Sequence, residues 1–161
     1  MAVDMFLKLD GIQGESHDAK HKNEIDIQSW SWGMSQMGTH GFGGGGGAGK
    51  VSVADMHFSK LVDKASPALA LHCCNGKHIK KGTLTVRKAG EHPLEYLVVE
   101  MEDIIVSSVQ HSGTHAGGDL VQESLALNFA KFKSKYKQQN ADGSAGPESE
   151  YGWNVKTNEP A

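Results

Sequence analysis

Apolar and polar residues alternate along most of this chain, a pattern that predicts a protein built mainly from β-strands. One segment breaks the alternation, because good helix formers fill most of the stretch between Pro67 and Gly76. Ser66 stands at the expected N-cap, Pro67 at the first helical position and Gly76 just past the end. We therefore expect one helix among strands. The strands are predicted over residues 4–9, 24–36, 50–58, 79–88, 95–110, 120–137 and 151–156.

Two predicted strands change the face that carries their apolar side chains. Because side chains alternate between faces, a slip by one residue moves the apolar set to the opposite side. A β-bulge, or a strand that bends from one sheet into another, produces such a slip. We therefore predict a barrel-like sandwich of two antiparallel or mixed sheets with one flanking α-helix. The slips separate Ile25 and Ile27 from Trp30, Trp32 and Met34, and separate Val121, Leu125, Leu127 and Phe129 from Phe132 and Tyr136.

The predicted strand over residues 95–110 is apolar on both faces. Val98 and Val99 are consecutive, as are Ile104 and Ile105, so neither face is polar. A strand of this kind is buried on both sides. Because one short helix covers only part of the second face, the pattern favours self-association.

A run of glycines interrupts the chain between two predicted strands. The spacing Gly44-x-x-x-x-Gly49-Lys50 mimics a phosphate-binding loop, but Val51 replaces the hydroxyl residue that holds Mg²⁺ and no helix pattern follows. We expect no nucleotide or other cofactor. The run is either a flexible hairpin linker or a loop whose backbone lies against another surface. We predict contacts between subunits or stacked rings for Thr39, His40, Gly41, Phe42, Gly43, Gly44, Gly45, Gly46 and Gly47.

Composition narrows the class of protein. The 161 residues fit one domain, and a net charge of −3 gives no case for nucleic acid. The N-terminus has neither the basic region nor the apolar core of a secretory signal, and no stretch is long enough for a membrane span. Cys73 and Cys74 are adjacent, so a disulfide framework is not expected. We expect synthesis in the cytoplasm without a signal peptide.

Candidate chemistry is sparse. The nine histidines show no metal-ligand pattern, and no serine lies in a nucleophile elbow. Two alternatives stay open: a small glycosidase-like enzyme and a carbohydrate-binding, lectin-like domain. Four alternate lysines form a stripe that we interpret as a solvated face or a protected edge, in preference to a surface with an acidic neighbour. The residues are Asp10, Glu15, Asp18, Glu100, Glu102 and Asp103 for the enzyme, Trp30, Trp32 and Trp153 for the sugar platform, and Lys131, Lys133, Lys135 and Lys137 for the stripe.

The order of short motifs along the chain resembles the Hcp (haemolysin-coregulated protein) family, the tube subunits of bacterial type VI secretion systems. Each motif is weak alone, and the set in order is specific. The motifs run nearly end to end: the start Met-Ala-Val-Asp-Met-Phe-Leu-Lys-Leu, Gly14-Glu-Ser, Glu24-Ile-Asp-Ile, Trp30-Ser-Trp-Gly, Gly49-Lys-Val, Phe58-Ser-Lys, Asp63-Lys, Ser66-Pro, Gly76-Lys-His, Val106-Ser-Ser-Val, Leu127-Asn-Phe and Tyr151-Gly-Trp-Asn.

The resemblance implies a single tube domain over residues 1–161 that assembles as a homohexameric ring. It further implies rings stacked into an inner tube, with a spike protein, a contractile sheath and effector proteins as partners and with export through the apparatus. Some family members bind and protect effectors inside the ring. We expect such cargo to contact small, uncharged side chains after the two-faced strand: Ser107, Ser108, Gln110, His111, Ser112 and Thr114. A solvated hairpin turn is the alternative interpretation of these residues.

Overall fold

A computed structural model describes residues 2–38 and 49–161. Within these ranges the chain is mainly β-strand with one α-helix, as the alternation predicts. The strands are β1 (Val3–Leu9), β2 (Ile25–Asp26), β3 (Ser29–Ser31), β4 (Met34–Ser35), β5 (Ser52–Val53), β6 (Met56–Leu61), β7 (Ile79–Lys88), β8 (Leu94–Ser112), β9 (Gln122–Gln139), β10 (Ala145–Asn154) and β11 (Glu159–Pro160), and the helix is α1 (Ser66–Asn75).

The strands close into a barrel through the segment that joins β2 to β3. β2 pairs with β1, whereas β3 pairs with β6 on the far side of the sheet. Between them the Ile27 amide donates to Met5 O at 3.0 Å and the Gln28 amide donates to Ser59 O at 2.8 Å. The hydrogen-bonded order therefore returns to β1 through β6, β9, β8 and β7. This bend confirms the first predicted change of face. The pairings among the described strands are antiparallel, so the mixed-sheet alternative is not seen.

The second predicted change of face is also present, and three strands share it. Phe129 and Phe132 of β9 are both buried, with two less buried residues between them. In β8, Ile104 lies opposite Phe129 and Met101 lies opposite Phe132. In β7, the buried Ile79 and Gly82 lie opposite Ile104 and Met101 in turn. Asp103, between them, has a φ of 54°, in the left-handed region that non-glycine residues seldom adopt. The sheet therefore bends sharply here. The first half of β9 pairs with β6 and its second half pairs with β10.

The helix follows the prediction at its end and departs from it at its start. Gly76 has a φ of 68° and closes the helix by donating to His72 O at 2.9 Å. Ser66 is the first helical residue and makes no capping hydrogen bond, because its hydroxyl is turned toward the buried carboxylate of Glu123. Asp63 instead accepts a hydrogen bond from the Ala65 amide at 2.9 Å. The helix contacts β8 and buries Leu69 in the core.

Several predicted boundaries move. The strand expected over residues 50–58 is divided into β5 and β6, which extends to Leu61, and β5 forms a separate two-stranded sheet with β4. The strand expected from residue 151 begins at Ala145, in a polar stretch that contains Gly and Pro. Residues Thr39–Gly47, predicted to make contacts between subunits, lie outside the described residues. After Lys50 the chain enters β5 rather than a helix, in agreement with the rejection of a phosphate-binding loop.

Candidate interaction surfaces

Small uncharged side chains cover one half of the outer barrel wall, across β3, β6, the start of β9 and the end of β8. Strand register aligns them in two rows, one from Ser29 through Ser59 and Ser124 to Gln110, the other from Ser31 through His57 and Ala126 to Ser108. A shallow depression of about 320 Å³ lies over these rows. We define the serine surface by these residues: Ser29, Ser31, His57, Ser59, Ser108, Gln110, Ser124 and Ala126.

The serine surface offers hydrogen bonds without fixed charge. None of its members is Lys, Arg, Asp or Glu, and beneath it the core residues Phe58 and Leu125 are buried. Short hydroxyl side chains can both donate and accept hydrogen bonds, and their hydrogens rotate to suit a partner. Such a surface can contact proteins of varied sequence without selecting strongly for charge.

The structure brings together only some of the residues predicted to contact cargo. Ser108 and Gln110 belong to the serine surface, whereas Ser112 and Thr114 lie exposed at the end of β8 and in the loop after it. His111 is the second-last residue of β8, and its Nε2 lies 3.7 Å from Glu123 Oε2. Ser107 is the additional residue of a β-bulge between Val106 and Ser108. Its hydroxyl donates to Asp55 Oδ2 at 2.7 Å, so it is already engaged within the chain.

Sequence reasoning missed the serines that neighbouring strands contribute to this surface. Ser29 and Ser31 flank Trp30, and Ser59 follows Phe58, so alternation already indicated that these serines share an outer face. What the sequence did not give was strand order. Only the pairing of β6 with β9 places Ser59 beside Ser124.

A buried ion pair lies behind the same half of the wall. Lys60 of β6 and Glu123 of β9 are both 0 % exposed, and Lys60 Nζ lies 2.8 Å from Glu123 Oε2. Lys60 also donates to Asp63 Oδ1 at 3.0 Å, and the Ser66 hydroxyl donates to Glu123. These bonds connect the first turn of the helix to two barrel strands.

The other half of the outer wall is charged. The four lysines of the stripe lie on the second half of β9, and each faces a glutamate of β8 or β10. β9 runs between those strands, so the protected-edge interpretation of the stripe is wrong. Its carboxylate partners come from the same chain, which leaves little uncompensated charge on this face. The pairs are Lys131–Glu102 at 3.5 Å, Lys133–Glu150 at 3.7 Å, Lys135–Glu100 at 3.5 Å and Lys137–Glu148 at 3.8 Å.

The carboxylates considered for a glycosidase have separate partners. Asp18 accepts hydrogen bonds from both terminal nitrogens of Arg87, at 2.6 and 3.0 Å, and this guanidinium holds the pKa of Asp18 well below its usual range. Glu15 accepts from the Lys64 amide at 3.0 Å. Lys156, and after it His78, lowers the pKa of Asp103 through hydrogen bonds. Asp18, Glu15 and Asp103 are therefore engaged with basic side chains or a backbone amide, and Glu100 and Glu102 pair with the lysines of β9.

Trp32 and His21 likewise have structural neighbours, whereas Trp153 Nε1 is buried without a hydrogen-bond partner among the described residues. Trp32 contacts the Phe132 ring edge-on at 4.7 Å, and its Nε1 donates to Ala54 O at 3.0 Å. His21 lies between Glu24 and Glu95, with its two ring nitrogens 2.9 and 2.6 Å from their carboxylate oxygens. Residues 2–38 and 49–161 contain no group of three His, Cys, Asp or Glu side chains placed to hold a metal ion. In the same ranges no helix has the length and apolar character needed to cross a bilayer.

Comparison with known proteins agrees with this architecture. A family model described as "Type VI secretion system effector, Hcp" matches residues 6–136. Protein hcp1 of Pseudomonas aeruginosa is 48% identical over 160 residues, covering 98% of each chain. The crystal structure of Hcp1 from Salmonella typhimurium is 40% identical, with a TM-score of 0.81 over 100% of both chains. A solved structure described as that of a type six secretion system protein has a TM-score of 0.93 at 28% identity, covering 99% of this chain and 100% of that one. The chain belongs to the Hcp family of type VI secretion proteins.

Proposed function

We propose that this chain is a structural, non-enzymatic tube subunit of a type VI secretion system. Six copies form a ring, rings stack into the inner tube, and the tube is exported with the spike and its effectors when the sheath contracts. The serine surface lines the ring interior and binds effectors there. The observation that carries this proposal is the division of the barrel wall into an uncharged half and a charge-compensated half.

Self-association follows from the exposed faces of the single chain. Val98 and Ile105, on the face of β8 turned away from the buried Val99 and Ile104, remain half-buried. At one end of the barrel Leu120 is 58% exposed and Val121 is 43% exposed. A repeated head-to-tail contact covers such surfaces on every copy when the ring closes. Residues Thr39–Gly47 are proposed as further contacts between subunits or rings.

The serine surface is better suited to face the ring interior than the charged half of the wall is. Six copies of an uncharged wall let a bound protein make many weak hydrogen bonds, and repetition raises their combined strength through effective concentration. A charged wall would select cargo by charge, because like charges facing each other cost several kcal/mol. Ser107, His111, Ser112 and Thr114 then lie at one end of the interior surface, next to Ser108 and Gln110.

The oligomeric state is the direct test of the ring. Size-exclusion chromatography with light scattering should give a single species near six times the 17.3 kDa chain mass. A monomer at micromolar concentration would contradict the proposal. Replacing Gly43–Gly47 with a Ser/Ala mixture should weaken assembly while the circular dichroism spectrum stays unchanged.

The cargo surface is tested by adding bulk to it. Ser108→Arg or Thr114→Arg should preserve the hexamer but lower co-purification of an effector that is co-expressed from the same secretion system. Ser149→Arg is the matched control, because Ser149 is exposed on β10 and lies outside the serine surface. Equal effector recovery from all three variants would place the cargo surface elsewhere.

A further inference from the structure

A small polar joint connects the β4–β5 pair to the barrel, and Asp55 is at its centre. Asp55 lies between the end of β5 and the start of β6. Its Oδ2 accepts a hydrogen bond from Ser107 Oγ at 2.7 Å, and its Oδ1 accepts one from Asn128 Nδ2 at 2.7 Å. Both carboxylate oxygens are therefore held, by β8 and β9 respectively.

The bulge in β8 provides one of these two contacts. Ser107 is the additional residue where the register shifts between Val106 and Ser108. An additional residue bends the strand and redirects a side chain that would otherwise follow the pleat. Here the redirected side chain is the hydroxyl that donates to Asp55.

The residue before Asp55 connects this joint to the β4–β5 pair. The Ala54 amide donates to Gly33 O at 3.0 Å, and Ala54 O accepts from Trp32 Nε1 at 3.0 Å. Trp32 in turn packs against Phe132 in the core. Residues 32–33 and 54–55 are thus held to one another and to the barrel on the side where β4 and β5 leave it.

We propose that Asp55 is a positioning residue that fixes the direction of the β4–β5 pair relative to the barrel, so that neighbouring copies of this chain can engage it during tube assembly. This inference rests on the proposed tube function. A carboxylate held at both oxygens resists rotation more than a single hydrogen bond does, because rotation about one contact breaks the other. Charge-assisted hydrogen bonds are also stronger than neutral ones.

Two measurements test separately whether Asp55 holds the β4–β5 pair and whether this affects tube assembly. Hydrogen–deuterium exchange at the Ala54 amide should be roughly fivefold faster in Asp55→Ala and Ser107→Ala, the factor expected for the loss of about one hydrogen bond. Exchange in the core of β7 should not change. Asp55→Asn retains an oxygen that can accept from Asn128, so it should lie between wild type and Asp55→Ala, and it remains available if Asp55→Ala does not fold. Ser149→Ala is the control for serine removal.

The second measurement is export of the chain into the medium by cells with a working secretion system, relative to its level in cells. Asp55→Ala should form rings of wild-type mass yet be exported several-fold less than Ser149→Ala. An unchanged exchange rate at the Ala54 amide would contradict the proposal that Asp55 holds the β4–β5 pair. Faster exchange with unchanged export would contradict the proposed role of Asp55 in tube assembly. A wild-type chain that is monomeric would instead refute the proposed tube function, and the exchange result would still report on the joint.

Discussion

Lys60→Met should be one of the most damaging single substitutions in the barrel. It removes the cation from a site where Lys60 and Glu123 are both 0 % exposed, and methionine fills a similar volume. Glu123 would then keep only the Ser66 hydroxyl as a close partner of its Oε2, since His111 Nε2 is 3.7 Å away. The other carboxylate oxygen, Glu123 Oε1, already has no hydrogen bond among the described residues. Leaving a buried charge unpaired costs about 3–5 kcal/mol.

The reverse substitution, Glu123→Gln, should cost less. Lys60 keeps the carboxylate of Asp63 at 3.0 Å, so its charge remains paired. The expected loss is about 1–3 kcal/mol, the range for a buried hydrogen bond to a charged group. The structure therefore predicts an order, with Lys60→Met more destabilised than Glu123→Gln.

Urea unfolding followed by circular dichroism measures both effects. All variants must be compared at one protein concentration, because subunit association contributes to apparent stability. For a chain of this size the Lys60→Met loss corresponds to a fall in Tm on the order of 10 °C. A Lys60→Met protein as stable as Glu123→Gln would refute the reasoning, since it would mean that other groups compensate the buried carboxylate when the cation is removed.

Three further predictions concern single sites. Arg87 lowers the pKa of Asp18, so the ion pair stabilises the fold fully above the unfolded-state pKa of about 3.9 and loses this contribution as pH falls toward the folded-state pKa. Urea unfolding from pH 6 to 3 should therefore show a weaker dependence of stability on pH for Asp18→Asn than for wild type. Partial desolvation, with the nearby carboxylate of Asp63, raises the pKa of Asp26, so the cost of ionising it grows as pH rises from the unfolded to the folded value and is complete above it; Asp26→Asn should raise the urea midpoint at pH 7. In Gly14→Ala the new Cβ would lie 2.5 Å from Glu24 O, a backbone atom that cannot move aside, whereas Gly33→Ala meets nothing within 4 Å; thermal unfolding should therefore show a large loss only for Gly14→Ala.

Alternation along the chain was sufficient to predict the barrel-like fold because each change of face has a structural cause. The shift from Ile27 to Trp30 marks the bend that closes the barrel, and the shift from Phe129 to Phe132 marks the bend of three neighbouring strands. Strands without apolar alternation depend instead on pairing with a neighbouring strand. The Ala145–Glu150 part of β10 has no apolar alternation, and it is a strand because β9 supplies hydrogen-bond partners.

The candidate surface was only partly predictable for the same reason. Ser108 and Gln110 were identified because they follow an apolar strand. Their direct partners on β9 lie later in the chain, and the remaining members of the surface lie some 50 to 80 residues earlier. Ser107 was grouped with them by composition. The bulge that turns it toward Asp55 cannot be read from its neighbours, because it depends on how β8 pairs with β9.

The first half of β9 belongs to the uncharged half of the outer barrel wall, and its second half belongs to the charged half. Ser124 of the first half faces outward between Ser59 and Gln110, while outward positions of the second half carry lysines beside glutamates. Ser124→Lys would extend the lysine row into a region without a carboxylate neighbour on either adjacent strand. Ser124 is exposed, so the fold should survive, and the circular dichroism spectrum should match wild type. In the proposed ring six uncompensated ammonium groups would face one interior, so hexamers measured by light scattering should become less stable at low salt and recover at high salt, where repulsion is screened. Ser149→Lys, on β10, should show no such salt dependence. A Ser124→Lys hexamer that is insensitive to salt would place this surface outside the ring interior.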